Sequence, residues 1–216
     1  IVYQRKLNAL TKLKFLNNYL INMLCRIYPK KQIIANIKLN LPRNYDFNDS
    51  QKKAIQMAVS NPFSLIQGPP GTGKTHTIGA IAVQALTMEP KKKVLVCGTT
   101  NVSINSLLEI VGDMLQQSGF KVCWPASAYR DFKSEENISK EQKLMTLYII
   151  RHMNCKESRR FQKLSDKRNR TDNEDIEMNI LRDKLEQKVI QQSHVIFSTL
   201  DSSGKKSIVK NIGSIS

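Results

Sequence analysis

Apolar residues recur at three- and four-residue steps along the start of the chain, at Leu10, Leu13, Leu16, Leu20, Leu24 and Ile27. That spacing predicts a helix over residues 4–28, stopped by Pro29. Short apolar pairs alternating with polar residues over 33–43 predict a strand or an extended connector ending at Pro42. Asp49 or Ser50 then stands where a helix cap is needed, before a helix that carries Ala54, Ile55 and Val59 up to the turn at Asn61 and Pro62.

The pattern next changes to strand, loop, helix. An apolar run over 63–66 leads into a glycine-bearing loop, 67–73, and a helix from Lys74 to about Met88. A second apolar strand, 94–97, precedes helical spacing at Ile104, Leu107, Leu108, Val111 and Leu115, and a further strand is expected near 121–124. Strands alternating with helices imply an α/β fold with a parallel sheet covered on both faces. Residues 131–192 differ in character, with no strand signal and nearly balanced charge: 130–192 holds fifteen basic and twelve acidic residues. Two helical arms joined near Thr171, Asp172 and Asn173 are the simplest reading, either as a hairpin insertion or as the filling of a long crossover. After them, 195–198 reads as a buried strand.

A hydrophobic content of 40% in 216 residues is enough for a sizeable core. The chain begins at Ile1 and its apolar pattern breaks off before Ser216, so it reads as part of a longer protein, incomplete at its carboxyl end. The net charge of +16 is unevenly spread: residues 1–45 hold nine Lys or Arg and no acid. This basic helical arm suits a polyanion such as nucleic acid, although a solvated helix face would look the same by charge alone. No apolar run approaches eighteen residues, so neither membrane nor secretory placement is supported, and Cys25, Cys97, Cys123 and Cys155 form no C-x-x-C pair. The expected compartment is cytoplasmic or nuclear. His152 and Cys155 would make at most half a metal site.

The chemistry is concentrated in Gly68, Pro69, Pro70, Gly71, Thr72, Gly73, Lys74 and Thr75, which satisfy G-x-x-x-x-G-K-[ST] between an apolar run and a helix. Gly71 and Gly73 can take backbone angles closed to other residues and let amide groups approach phosphate oxygens. The helix from Lys74 adds its positive end. Lys74 is expected to reach the β- and γ-phosphates of ATP and Thr75 to ligate Mg²⁺ through its hydroxyl, with Pro69 and Pro70 stiffening the loop. Hydrolysis also needs an acid to hold the metal. Asp201, the only acid after Glu186, is a weak candidate because Ser198 and Thr199 interrupt the apolar run before it.

Four blocks, in order, resemble the up-frameshift-like superfamily 1B helicases: NDSQ at 48–51, FSLIQGPPGTGKT at 63–75, VLVCGTTNVSINSL at 94–107 and HVIFSTL at 194–200. The resemblance implies a P-loop NTPase of RecA-like fold over 46–216, with the helical hairpin of about 131–192 inserted. It implies that Gln51 contacts adenine, that residues 68–75 hold the phosphates, and that Thr99, Thr100, Asn101, Ser198 and Thr199 touch the backbone of single-stranded nucleic acid. Contacts of that kind do not separate RNA from DNA. Where the family has Ala-Pro-Ser-Asn this chain has Gly98, Thr99, Thr100 and Asn101, and loss of the proline is expected to loosen the loop. The family's Asp-Glu pair and second motor domain do not occur in these 216 residues, so the chain by itself is expected to bind nucleotide and hydrolyse little. The implied function is an ATP-dependent helicase translocating on single strands. The alternative is a nucleotide-gated clamp on single strands without turnover, and a P-loop enzyme of another kind, such as a kinase, leaves the Gln51 block and the strand-end threonines unexplained.

Overall fold

The computed structural model describes residues 37–125 and 143–212, with Thr11 and Ser139 besides. The helix expected over 4–28 and the start of the connector at 33 lie outside these residues, apart from Thr11. Residues 37–42 form no regular element and join no sheet. They are held instead by Gln84, whose buried carboxamide accepts from the Asn40 N–H at 2.7 Å and donates to the Lys38 carbonyl at 3.3 Å. A lone buried amide would be costly, and the connector satisfies both of its ends.

Helix α1 spans Asp49–Ser60 and α2 spans Lys74–Met88. Strand β1, Val94–Gly98, leads to α3, Asn101–Leu107, then a π-helical turn at Leu108–Gly112 and α4, Asp113–Gln117. Strand β2 is short, Val122–Cys123. Helices α5, α6 and α7 occupy Thr146–Arg151, Lys156–Asp166 and Asp172–Gln192. Strand β3, Val195–Thr199, runs directly into α8, Leu200–Ser203, and then α9, Lys206–Ile212.

The sheet is parallel in the order β1-β3-β2, with Val94 opposite Val195, Gly98 opposite Thr199 and Val122 also opposite Val195. Alternation along β3 sorts the core into two layers. Val195 and Phe197 join Ile55, Leu86, Val111 and Met114 on the α1, α2 and π-helical side. Ile196 joins Phe161, Leu185, Val189, Ile190 and Ile208 on the other. The helices between β2 and β3 therefore supply the second covering layer of the sheet, as a buried central parallel strand requires. They are also held by their own ion pairs, Arg151 to Asp166 at 2.8 Å, Arg160 to Glu177 at 2.7 Å, Lys167 to Glu174 at 2.7 Å and Arg170 to Asp175 at 2.6 Å.

Two expectations need correction. The segment 63–66 forms no strand, with a bend at Phe63, and Leu65 is 80% exposed. A strand exists through its ladder partners, and this segment has none among the described residues. The cap of α1 is Asn48 rather than Asp49 or Ser50, because Asn48 Oδ1 accepts from the Gln51 N–H at 2.9 Å while Gln51 Oε1 accepts from the Asn48 N–H at 3.0 Å. The side chain three residues before Gln51 closes the reciprocal pair; those one or two before it do not.

Candidate nucleotide and nucleic-acid site

The glycine loop has the backbone its sequence calls for. Gly71 and Gly73 sit at φ +78° and +76°, in the left-handed region. A Cβ on Gly71 would meet nothing within 4 Å, so that side of the loop is open. At Gly73 the constraint is double: besides its φ, a Cβ would lie 2.5 Å from Gln51 Nε2. That amide donates to the Thr72 carbonyl at 3.1 Å, which ties the α1 cap to the loop. Thr72 adds an internal brace by donating its hydroxyl to the Pro69 carbonyl at 2.8 Å.

Gly73 caps α2 without any side-chain acceptor, so the first amide groups of a fifteen-residue helix face the loop with no side chain satisfying them. Lys74 folds back over the loop, its ammonium donating to the carbonyls of Gly68 at 2.8 Å and Pro69 at 2.7 Å. Thr75 is half-buried in the first turn of α2. Open space beside Gly71, helix amides with no side-chain cap and a cation resting on loop carbonyls together fit the phosphates of a nucleotide. For Mg²⁺ the described residues offer the Thr75 hydroxyl and no cluster of three or more His, Cys, Asp or Glu. A magnesium ion held mainly by nucleotide phosphates is in keeping with that donor set.

Gln51 has both ends of its carboxamide engaged, by Asn48 and by Thr72. Its second amide hydrogen is the group left for a base. Tyr45 was not singled out by sequence, yet its ring rests against His76 of α2 at 5.6 Å. Burial and the neighbouring Asp113 push its phenol above the ordinary value. A tyrosine just ahead of the Asn48 cap is a weak signal, and only the packing reveals it.

At the carboxyl ends of β1 and β3 the structure brings Thr99, Thr100, Asn101 and Thr199 close, since Gly98 and Thr199 are register partners. Thr100 caps α3: its hydroxyl accepts from the Ser103 N–H at 3.1 Å, and its own N–H donates to Ser103 Oγ at 3.0 Å. The loop expected to be loose without proline is thus closed by a capping box. Gly98 is part of the same fit, because a Cβ there would stand 2.5 Å from Ser103 Oγ. Thr199 likewise caps α8 by accepting from the Ser202 N–H at 3.3 Å. Ser198 differs from the other four. It is fully buried and donates to the Thr199 carbonyl at 3.1 Å, so its side chain is taken out of the set able to reach a bound strand. Asp201 lies exposed in the first turn of α8.

Residues 46–124 match the AAA domain family. The ATP-dependent helicase upf1 of Schizosaccharomyces pombe is 32% identical over 180 residues, which cover 80% of this chain and 18% of that protein. Regulator of nonsense transcripts 1 of Dictyostelium discoideum is 34% identical over 181 residues, 80% of this chain and 13% of its own length. The DNA polymerase alpha-associated DNA helicase A of Saccharomyces cerevisiae is 43% identical over 81 residues, 38% of this chain and 12% of that protein. The chain spans less than a fifth of the length of these curated relatives. With the glycine loop, the parallel sheet and these matches in agreement, the chain belongs to the up-frameshift-like superfamily 1 helicases and forms part of a P-loop, RecA-like motor domain.

Proposed function

We propose that this chain is the ATP-gripping part of an ATP-dependent helicase that moves along single-stranded RNA or DNA. The observation that carries the proposal is the loop itself: two glycines of positive φ, an uncapped α2 start and Lys74 resting on the loop carbonyls. ATP with Mg²⁺ would supply the phosphoanhydride whose cleavage drives the motion. Lys74 would leave the carbonyls of Gly68 and Pro69 for phosphate oxygens, and the Thr75 hydroxyl would take a place on the metal. Gln51 would hold the adenine side through its free amide hydrogen while keeping the loop fixed through Thr72. The exposed Thr99, Thr100 and Asn101 and the half-buried Thr199 would meet the backbone of the strand through their hydroxyl and amide groups.

Support for the nucleic-acid half comes from the helicases to which the chain is similar and from its +16 charge. Among the described residues no helix is long and apolar enough to cross a membrane. The test is ATP turnover by the whole protein that carries this chain, with and without single strands. Strand-stimulated turnover abolished by Lys74→Ala is expected. Turnover that ignores both the strand and the substitution would refute the proposal.

A further inference from the structure

Helix α7 carries two isoleucines where its pattern calls for polar residues. Its inward face holds Met178, Leu185, Val189 and Ile190, packed with Phe161 and Ile196 in the second covering layer of the sheet. Ile176 and Ile180 lie outside that face and are 57% and 62% exposed. They stand one helical turn apart, so they form a single patch. Among the described residues no other helix leaves two large apolar side chains exposed at that spacing. Local folding does not account for the pair, because an exposed isoleucine favours helix less than the Glu, Lys or Gln found elsewhere on α7.

Opposite charges flank the patch at the same spacing. Asp172 stands four residues before Ile176 and Lys184 four residues after Ile180, and both are exposed. The stripe therefore reads acid, isoleucine, isoleucine, base at steps of four along one face of the helix. Such a stripe is its own complement when reversed. Laid antiparallel on a second copy, Ile176 meets Ile180 and Asp172 meets Lys184, and a two-fold axis makes each contact occur twice. Lys184 already meets Glu157 at 3.3 Å, but at the surface, and its ammonium has further donors. Asp183, the acid beside Lys184, has Arg182 at 3.7 Å.

We infer that this face of α7 joins two copies of the chain as an antiparallel pair, with the isoleucines at the centre and an Asp172 to Lys184 contact at each end. Two isoleucines and two charges per copy make a smaller patch than the roughly 800 Å² per partner of a standard interface. The association is accordingly weak and depends on concentration. It requires neither nucleotide nor nucleic acid.

The test is sedimentation velocity of the 216-residue chain over a rising concentration series. At about 150 mM salt the Debye length of roughly 8 Å screens the +16 charges of two copies from each other and spares the close contacts at each end. The parent chain is expected to pass from monomer to dimer, and Ile176→Ser with Ile180→Ser to stay monomeric. Asp172→Lys alone, or Lys184→Asp alone, sets like charges opposite each other at both ends and is expected to weaken association roughly tenfold. An equimolar mixture of these two variants brings opposite charges together again, and is expected to associate as the parent does. Recovery in the mixture also shows that each variant is folded. A parent chain that stays monomeric overturns the inference. So does a dimer that persists in the isoleucine variant, or a mixture that associates no better than its components.

Discussion

Replacing Gly73 with alanine separates two consequences that share one residue. The first is conformational: at φ +76° an L-residue is disfavoured by roughly 1–2 kcal/mol. The second is the new Cβ, 2.5 Å from Gln51 Nε2. Because that atom ends a flexible side chain it can move, and the penalty is set by the bonds it gives up, to the Thr72 carbonyl and, through the amide oxygen, to the Asn48 N–H. Both lie at the surface, so together they amount to about 1–2 kcal/mol. Gly71→Ala is the internal reference, since its φ is nearly the same and a Cβ there meets nothing within 4 Å. Subtracting the two removes the backbone part. Urea unfolding of both variants should show Gly73→Ala the less stable by about 1–2 kcal/mol, a midpoint lower by about 0.5–1 M. In a Gln51→Ala background the difference should vanish, which a double-mutant cycle reads directly. Equal stabilities of Gly73→Ala and Gly71→Ala in the parent chain would refute the coupling of Gln51 to the loop.

Other consequences can be checked in the same chain. Lys93 donates to the carbonyls of Ile190, Gln191 and Ser193 at the end of α7; burial alone pulls its pKa down, and these acceptors keep the ammonium in place. Lys93→Met is expected to lower stability by about 2 kcal/mol in urea unfolding, while a neutral effect would mean that water replaces the ammonium. Thr100→Ala removes the α3 cap and should cost about 1 kcal/mol, with Thr100→Ser restoring most of it. Lys167 beside Glu174 and Arg160 beside Glu177 hold both carboxyls below the ordinary glutamate range. A carboxyl with a lowered folded pKa adds stability that is present above about pH 4.3 and is lost as pH falls through the folded value. Acid unfolding followed by far-ultraviolet circular dichroism should therefore move to higher pH in Arg160→Gln, and an unchanged acid midpoint would show that this pair contributes nothing.

Much of the site was legible because its chemistry is local. A loop of Gly71, Gly73 and Lys74 between an apolar run and a helix encodes its own backbone, and the observed φ values follow from it. The bounds of α2 agree with the spacing, as do β1 and β3. What escaped were features that depend on a neighbour. Residues 63–66 carry a strand composition but need an edge to pair with. The helices of 146–192 admit two readings in the sequence, a hairpin insertion or the filling of a long crossover, and Phe161, Leu185, Val189 and Ile190 are too widely spaced among charges to announce the face they bury on the sheet. Ser198 is placed with the surface threonines by its motif, yet it stands one residue short of the end of β3, a strand covered on both faces, and is fully buried. The capping boxes at Asn48 with Gln51 and Thr100 with Ser103 were there to be found by their three-residue spacing.

The most direct test of the central claim is a titration of this chain with a fluorescent ATP analogue in the presence of Mg²⁺, set beside Lys74→Ala. Loss of one charge-assisted contact of about 1.5–3 kcal/mol weakens affinity by roughly ten- to a hundredfold. Saturable binding that falls by that factor in the variant is the predicted result. Binding of equal strength in both chains would contradict the assignment of the loop as a phosphate cradle.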